Sequence, residues 1–250
     1  MKPNEIANLA RLIDHAVLHP TTGRAELEAA ISLAREHQIA ALCVKPCDVR
    51  AAAEGLAGST VAVCAVTAFP HGNAATRIKV AETSAALEDG ATEIDTVVNN
   101  GLVQDGNWDA FLGEIQALVE VTHSRNALLK VIFETDYLNL GQIAKMTDLC
   151  CQAGADFVKT STGFGYVKQA NGDFNYEGAT VAVVKCMLET AAGRCGVKAS
   201  AGIRSLDDLL RFRDLGCTRI GVGSTAKILA EARARAEGSP SSAGPSAEGY

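Results

Sequence analysis

Residues 128–162 read LLKVIFETDYLNLGQIAKMTDLCCQAGADFVKTST, and they carry the argument for the fold. Leu128–Thr135 is an apolar, β-branched run of strand length. Leu140–Ala153 then places apolar residues at helical spacing, and Asp156–Ser161 is a second short apolar run. Strand, helix and strand in so few residues make a βαβ unit, whose two strands lie parallel and side by side.

The same alternation extends in both directions. Further strand-like runs are Leu12–Leu18, Ile39–Lys45, Val61–Phe69, Glu93–Asn99, Gly196–Ala201 and Arg219–Gly223. Helical patterns occupy Arg24–His37, Cys47–Glu54, Ala74–Glu88, Trp108–His123, Tyr176–Ala192, Leu206–Leu215 and Thr225–Ala236. Eight strands, each followed by a helix, are what a (β/α)8 TIM barrel requires at its usual length of ~250 residues. The rival, a doubly wound open sheet, would carry a glycine-rich dinucleotide turn after its first strand, and Leu12–Pro20 has none. The expected architecture is therefore a single α/β barrel domain over residues 1–237, with residues 1–9 forming a short helix that caps the floor. The stretch GSPSSAGPSAEGY, 238–250, reads as a flexible tail.

Composition narrows the function. Lys plus Arg number 23 against 29 Asp plus Glu, a net charge of −6 with no basic stripe, so nucleic acid is not an expected partner. Apolar runs stay far below the ~20 residues of a membrane span, and no secretory leader is visible, so a cytoplasmic location is expected. The eight cysteines form no CxxC pair. They read as buried thiols in a reducing compartment, except Cys43, which reads as a partly exposed thiol lining a pocket. The histidines are scattered, so neither metal nor cofactor is expected.

Charge inside the strands is the anomaly. Asp14, Asp95, Lys130, Lys159 and Lys198 each interrupt an apolar run. A buried unpaired charge costs several kcal/mol, so such residues need partners or a task. An internal ion-pair network would explain any one of them; convergence from different strands points to a site. Lysines brought together have a chemical use, because desolvation and like charge free a neutral amine to attack a carbonyl. Two glycine-bearing turns, AGIRS (201–205) and GVGST (221–225), follow the last two strands, where barrels hold phosphate. STGFG (161–165) is a third flexible turn in the same ring.

DFVKTSTGF at 156–164 closely resembles the Schiff-base strand of the deoxyribose-phosphate aldolase family. LIDHAVLHP, EIDTVVNNG, LKVIFET, GVKASAGIRS and RIGVGST fall in the order of that family's other strand motifs. The resemblance covers roughly residues 8–230. It implies a TIM barrel and a metal-free class I aldolase. The implied reaction is the reversible cleavage of 2-deoxy-D-ribose 5-phosphate to D-glyceraldehyde 3-phosphate and acetaldehyde. By that resemblance Lys159 forms the imine, Lys198 is the neighbouring cation that favours the neutral amine, and Asp95 is the proton-transfer carboxylate. Thr162, Gly202, Arg204, Gly221, Gly223 and Ser224 match substrate- and phosphate-binding positions, Arg204 chiefly through its backbone. Asp14, Cys43 and Lys130 are expected to line the pocket, and Tyr250 to reach it as a tail proton donor.

The chain departs from the family pattern at Ala16 and His19, where Thr and Lys are usual, and at Ala201, where the first of two glycines stands. These changes bear on substrate affinity. Expected partners are a sugar phosphate and aldehydes, and a homo-oligomer, dimer or tetramer. Another Schiff-base barrel aldolase and a non-catalytic sugar-phosphate sensor are the alternatives. A substrate panel separates the first, and the lysine pair with Asp95 speaks against the second.

Overall fold

The computed structural model describes residues 3–237. The expected tail, 238–250, and the role expected of Tyr250 lie outside the described residues. Helix α1 (Pro3–Ala10) packs on the last helix and leads into β1 (Ile13–Val17). There follow α2 (Arg24–His37), β2 (Ala41–Val44), α3 (Val49–Leu56), β3 (Ala62–Thr67), α4 (Thr76–Glu88) and β4 (Glu93–Val97). Next come α5 (Asn100–Gln104), α6 (Trp108–His123), β5 (Leu128–Ile132), α7 (Leu140–Ala153) and β6 (Phe157–Lys159). A hairpin of β7 (Val167–Lys168) and β8 (Phe174–Asn175) precedes α8 (Val181–Ala191). The last elements are β9 (Gly196–Ser200), α9 (Leu206–Leu215), β10 (Arg219–Val222) and α10 (Thr225–Ala236).

All strands outside the hairpin close into a parallel barrel in the order β1-β10-β9-β6-β5-β4-β3-β2. Period two divides each strand. Leu42, Val63, Ile94, Leu129, Val131, Val158 and Val197 join the apolar layer shared with the helices. Full burial of each such side chain contributes about 1.5–3 kcal/mol. The alternate positions point into the barrel and carry Asp14, Cys43, Cys64, Asp95, Lys130 and Lys198.

Local signals set the helix ends. Asn139 and Gln142 cap α7 reciprocally, and Gly154, at φ 89°, ends it in the left-handed region that glycine enters without strain. Two expectations are corrected here. The helix expected from Tyr176 begins at Val181, because the Gly178 N–H is held by the Asp136 carboxylate and Thr180 supplies the cap. The helix expected from Cys47 begins at Val49, after a 3-10 turn over Pro46–Asp48, and Cys47 is exposed rather than buried. The hairpin and α5 were not anticipated. Among the described residues no helix is long and apolar enough to cross a membrane.

Candidate active site

Parallel register sets the site. Lys159 and Lys198 are direct partners across β6 and β9, Asp95 and Lys130 across β4 and β5, and Lys198 and Arg219 across β9 and β10. Register partners share a face, so these side chains meet inside the barrel.

Asp95, wholly buried, is the hub. Its Oδ2 accepts from Lys159 Nζ and Lys198 Nζ, each at 2.7 Å. Its Oδ1 accepts from Lys130 Nζ at 2.9 Å and from the Cys64 thiol at 3.1 Å. Lys198 also donates to Asp14 at 2.5 Å, and Lys130 to Glu93 at 2.5 Å. Arg219 closes the network from the strand starts, donating to Asp14 at 2.9 Å and to both oxygens of Glu93 at 2.9 and 2.7 Å. Its guanidinium lies over the Phe157 ring, 5.6 Å from the centroid.

Burial alone would raise the carboxyl of Asp95, but the ammonium groups of Lys130, Lys159 and Lys198 outweigh it and hold it well below the usual range. Asp14 is lowered in the same way by Lys198, Lys130 and Arg219 against its own burial. Burial opposes the charged forms of Lys130 and Lys198, yet the surrounding carboxylates hold both well above the ordinary lysine value. Both are fixed cations. Three carboxylates (Asp14, Glu93, Asp95) face four basic side chains (Lys130, Lys159, Lys198, Arg219) in this network.

A cavity of about 470 Å³ opens over this network at the C-terminal ends of the strands. Of the residues singled out from sequence, Lys159, Lys198, Asp14, Cys43, Thr162, Gly202, Arg204, Gly221, Gly223 and Ser224 line it. Asp95 lies behind the two lysines, outside the wall. Lys130 does not line the pocket, contrary to expectation. It is wholly buried in mid-strand, where Glu93 and Asp95 take up its ammonium. Gly221 is needed here, since a Cβ would come within 2.8 Å of Ser200 Cβ and 3.4 Å of Lys198 Cε.

The two turns expected to hold phosphate differ. Ser205 and Asp208 cap α9 reciprocally, and Asp208 Oδ2 also accepts the Arg204 N–H, so that turn is spoken for. At α10 the Ser224 side chain makes no cap bond, and its buried hydroxyl has no protein partner. Lys227 joins the same wall. An anion fits α10 better. Ala201, standing where the family has glycine, sits at φ 71°, a left-handed conformation that costs a non-glycine residue about 1–2 kcal/mol.

Cys43 lines the cavity but is only 2% exposed, which corrects the expectation of a partly exposed thiol. Its hydrogen bond with Cys64 and the Lys198 ammonium, 3.7 Å away, lower its pKa against burial. Cys43→Met is therefore expected to lengthen survival in concentrated acetaldehyde several-fold, because enals formed there have a thiol to add to. Equal inactivation rates for the two proteins would remove Cys43 as the sensitive group. Cys43, Cys64 and Asp95 also place three donor atoms within 4.8 Å of one another. Lys198 and Lys130 already donate to the two sulfurs and Asp95, where a cation would have to sit.

Sequence reasoning missed Glu93, Arg219 and Glu134. Glu93 stands two residues before Asp95 in the same strand, and that spacing places both on one face. Arg219 was hidden by its place at a strand start, where charge is ordinary.

A closed parallel barrel with convergent lysines under a rim cavity is the architecture of a barrel enzyme. The chain belongs to the DeoC/LacD aldolase family, whose model matches residues 9–216. It is 42% identical to the deoxyribose-phosphate aldolase of Streptococcus gordonii over 221 residues, 88% of this chain and 95% of that protein. The solved structure of the aldolase QR15 superposes with a TM-score of 0.83 at 36% identity, covering 92% of this chain and 97% of that one. The deoxyribose phosphate aldolase of Aeropyrum pernix, described as a unique tetramer, gives a TM-score of 0.82 at 29% identity. That match covers 92% of this chain and 93% of the other.

Proposed function

We propose that the chain reversibly cleaves 2-deoxy-D-ribose 5-phosphate to D-glyceraldehyde 3-phosphate and acetaldehyde through an imine on Lys159. The observation that carries this reading is one carboxylate oxygen, Asp95 Oδ2, holding two ammonium groups at the base of a rim cavity.

Lys159, at the end of β6, and Lys198 both face the cavity, but Lys198 is tied to Asp14 as well as Asp95, whereas Lys159 bonds Asp95 alone among the carboxylates. The neutral Lys159 amine attacks C1 of the open-chain sugar, and loss of water leaves the iminium, which acts as the electron sink. A proton leaves the C3 hydroxyl through cavity water, and Lys198, which lines the cavity and donates to Asp95, links that water to the buried carboxylate. The C2–C3 bond then breaks, glyceraldehyde 3-phosphate departs, and its electrons remain as an enamine on Lys159. Protonation at C2 and hydrolysis release acetaldehyde and restore the amine. Asp95 is too firmly ionised to keep a proton, so its part is to relay one and to fix both lysines. The phosphate rests at Gly221, Gly223 and Ser224, with Gly202, Arg204 and Thr162 in the same cavity wall; the Arg204 N–H itself is held by Asp208.

The reading extends to a cytoplasmic homo-oligomer, a dimer or tetramer, supported by the tetramer of the Aeropyrum pernix relative. The decisive experiment is borohydride reduction in the presence of acetaldehyde, with peptide mapping, alongside a cleavage assay on deoxyribose 5-phosphate. One adduct on Lys159 and measurable cleavage are expected. An adduct on another lysine, or none, would overturn the mechanism.

A further inference from the structure

The sequence KVIFET ends β5 with Glu134, a carboxylate the proposed reaction does not use. It is 2% exposed and does not line the cavity. Both its oxygens are engaged by one residue: Thr162 N–H donates to Oε1 at 3.2 Å, and the Thr162 hydroxyl donates to Oε2. The Thr162 Oγ1 then accepts the Phe164 N–H at 2.9 Å. Thr162, Gly163 and Phe164 form the cavity wall that follows Lys159 directly in the chain. Glu134 itself sits at φ 55°, in the left-handed region that a non-glycine residue occupies only when its surroundings hold it there. The neighbouring Thr135 N–H is bonded to Thr160 O at 3.1 Å, tying the β5 end to the same turn.

We propose that Glu134 is a positioning residue that shapes the Thr162–Phe164 wall and so sets how substrate is presented to Lys159. For its effect on catalysis this rests on the aldolase reading. The ionised carboxylate fits this pattern without rearrangement: Thr162 gives its one hydroxyl proton to Glu134, and its oxygen accepts the Phe164 N–H. Protonating Glu134 at Oε2 would reverse the bond with the Thr162 hydroxyl, whose proton would then have to turn to another acceptor and shift the turn it caps.

The environment makes that change accessible. Burial raises Glu134 to about 7, against the opposing bonds from Thr162. The charged groups facing it are Asp136, on its own loop, which adds to the rise, and Lys159, from β6, which opposes it. The ionised fraction, and with it the ordered wall, therefore grows as pH rises through about 7.

The test compares wild type, Glu134→Gln and Glu134→Asp. In wild type, kcat/KM for deoxyribose 5-phosphate is expected to rise with pH through a one-proton limb near 7. Glu134→Gln cannot ionise, so it loses that limb and falls about tenfold below wild type on the alkaline side, as a small misplacement at a reacting centre does. Glu134→Asp keeps a titrating carboxylate and restores a limb at a shifted midpoint. Borohydride trapping of acetaldehyde on Lys159 stays intact in all three. Independently of turnover, the Thr162 and Phe164 amide resonances are expected to titrate near pH 7 in wild type and not in Glu134→Gln. A limb of unchanged midpoint in Glu134→Gln, or amides that titrate alike in both proteins, would overturn the proposal. A wild type that shows the amide titration but no cleavage would instead sink the aldolase reading and leave the positioning role standing.

Discussion

Lys159→Leu abolishes turnover and borohydride labelling while the barrel remains folded. The covalent route has no substitute once the amine is gone, because Lys198 is held by two carboxylates and Lys130 is sealed beneath the site. A loss of at least about 10⁴-fold in kcat is expected for removal of a covalent catalyst. Folding survives because Asp95 still accepts from Lys130 and Lys198. Circular dichroism and thermal unfolding check the fold, and a coupled assay for glyceraldehyde 3-phosphate checks the rate. Near wild-type turnover in this variant would mean that the nucleophile is another group. Lys198→Leu behaves differently. It removes a partner of both Asp14 and Asp95 beside the imine-forming amine, and a slower enzyme whose rate optimum lies at higher pH is expected.

Lys130→Met carries the largest expected cost in stability. Methionine fits the volume, so the loss is electrostatic. Glu93 and Asp95 each lose their bond to Lys130, and Asp14 loses a cation 3.7 Å away. Breaking a buried pair by removing one partner costs about 3–5 kcal/mol. At this chain length each kcal/mol lowers Tm by roughly 2–4 °C. The acid limb should move as well. Asp14 and Asp95 lie below their unfolded value of 3.8, so their contribution is complete above that pH and is lost as pH falls below it. Removing Lys130 weakens that depression, and the acid-unfolding midpoint rises. A variant with wild-type Tm and acid midpoint would show the network to be unimportant for stability.

The barrel was legible because its strands and helices differ in apolar period, and every unit repeats that contrast. The buried lysines and aspartates were legible for a related reason: charge in a run such as DFVKTST has no solvent to face. Arg219 and Glu93 escaped because they begin strands, where a charge is unremarkable until register shows it pointing inward. Lys130 was misplaced because sequence gives the face of a residue but not its depth; Asp95 and Glu93 draw it below the pocket floor. Glu134 looked like an ordinary strand-end polar residue. Only the return of the chain after β6 brings Thr162 against it, a contact 28 residues away in sequence.

The unequal capping of α9 and α10 has a consequence for how such an enzyme can be altered. At α9 the cap belongs to the scaffold, since Ser205 and Asp208 bind each other and the turn above them. At α10 the first turn owes nothing to the Ser224 side chain, whose hydroxyl bonds no other protein group. If the proposed anion site lies there, recognition of the anionic end of a substrate is separable from the integrity of the fold. On the proposed reading, selection or design could change Ser224 and Lys227 to favour an uncharged sugar without touching Lys159 or the carboxylates that surround it.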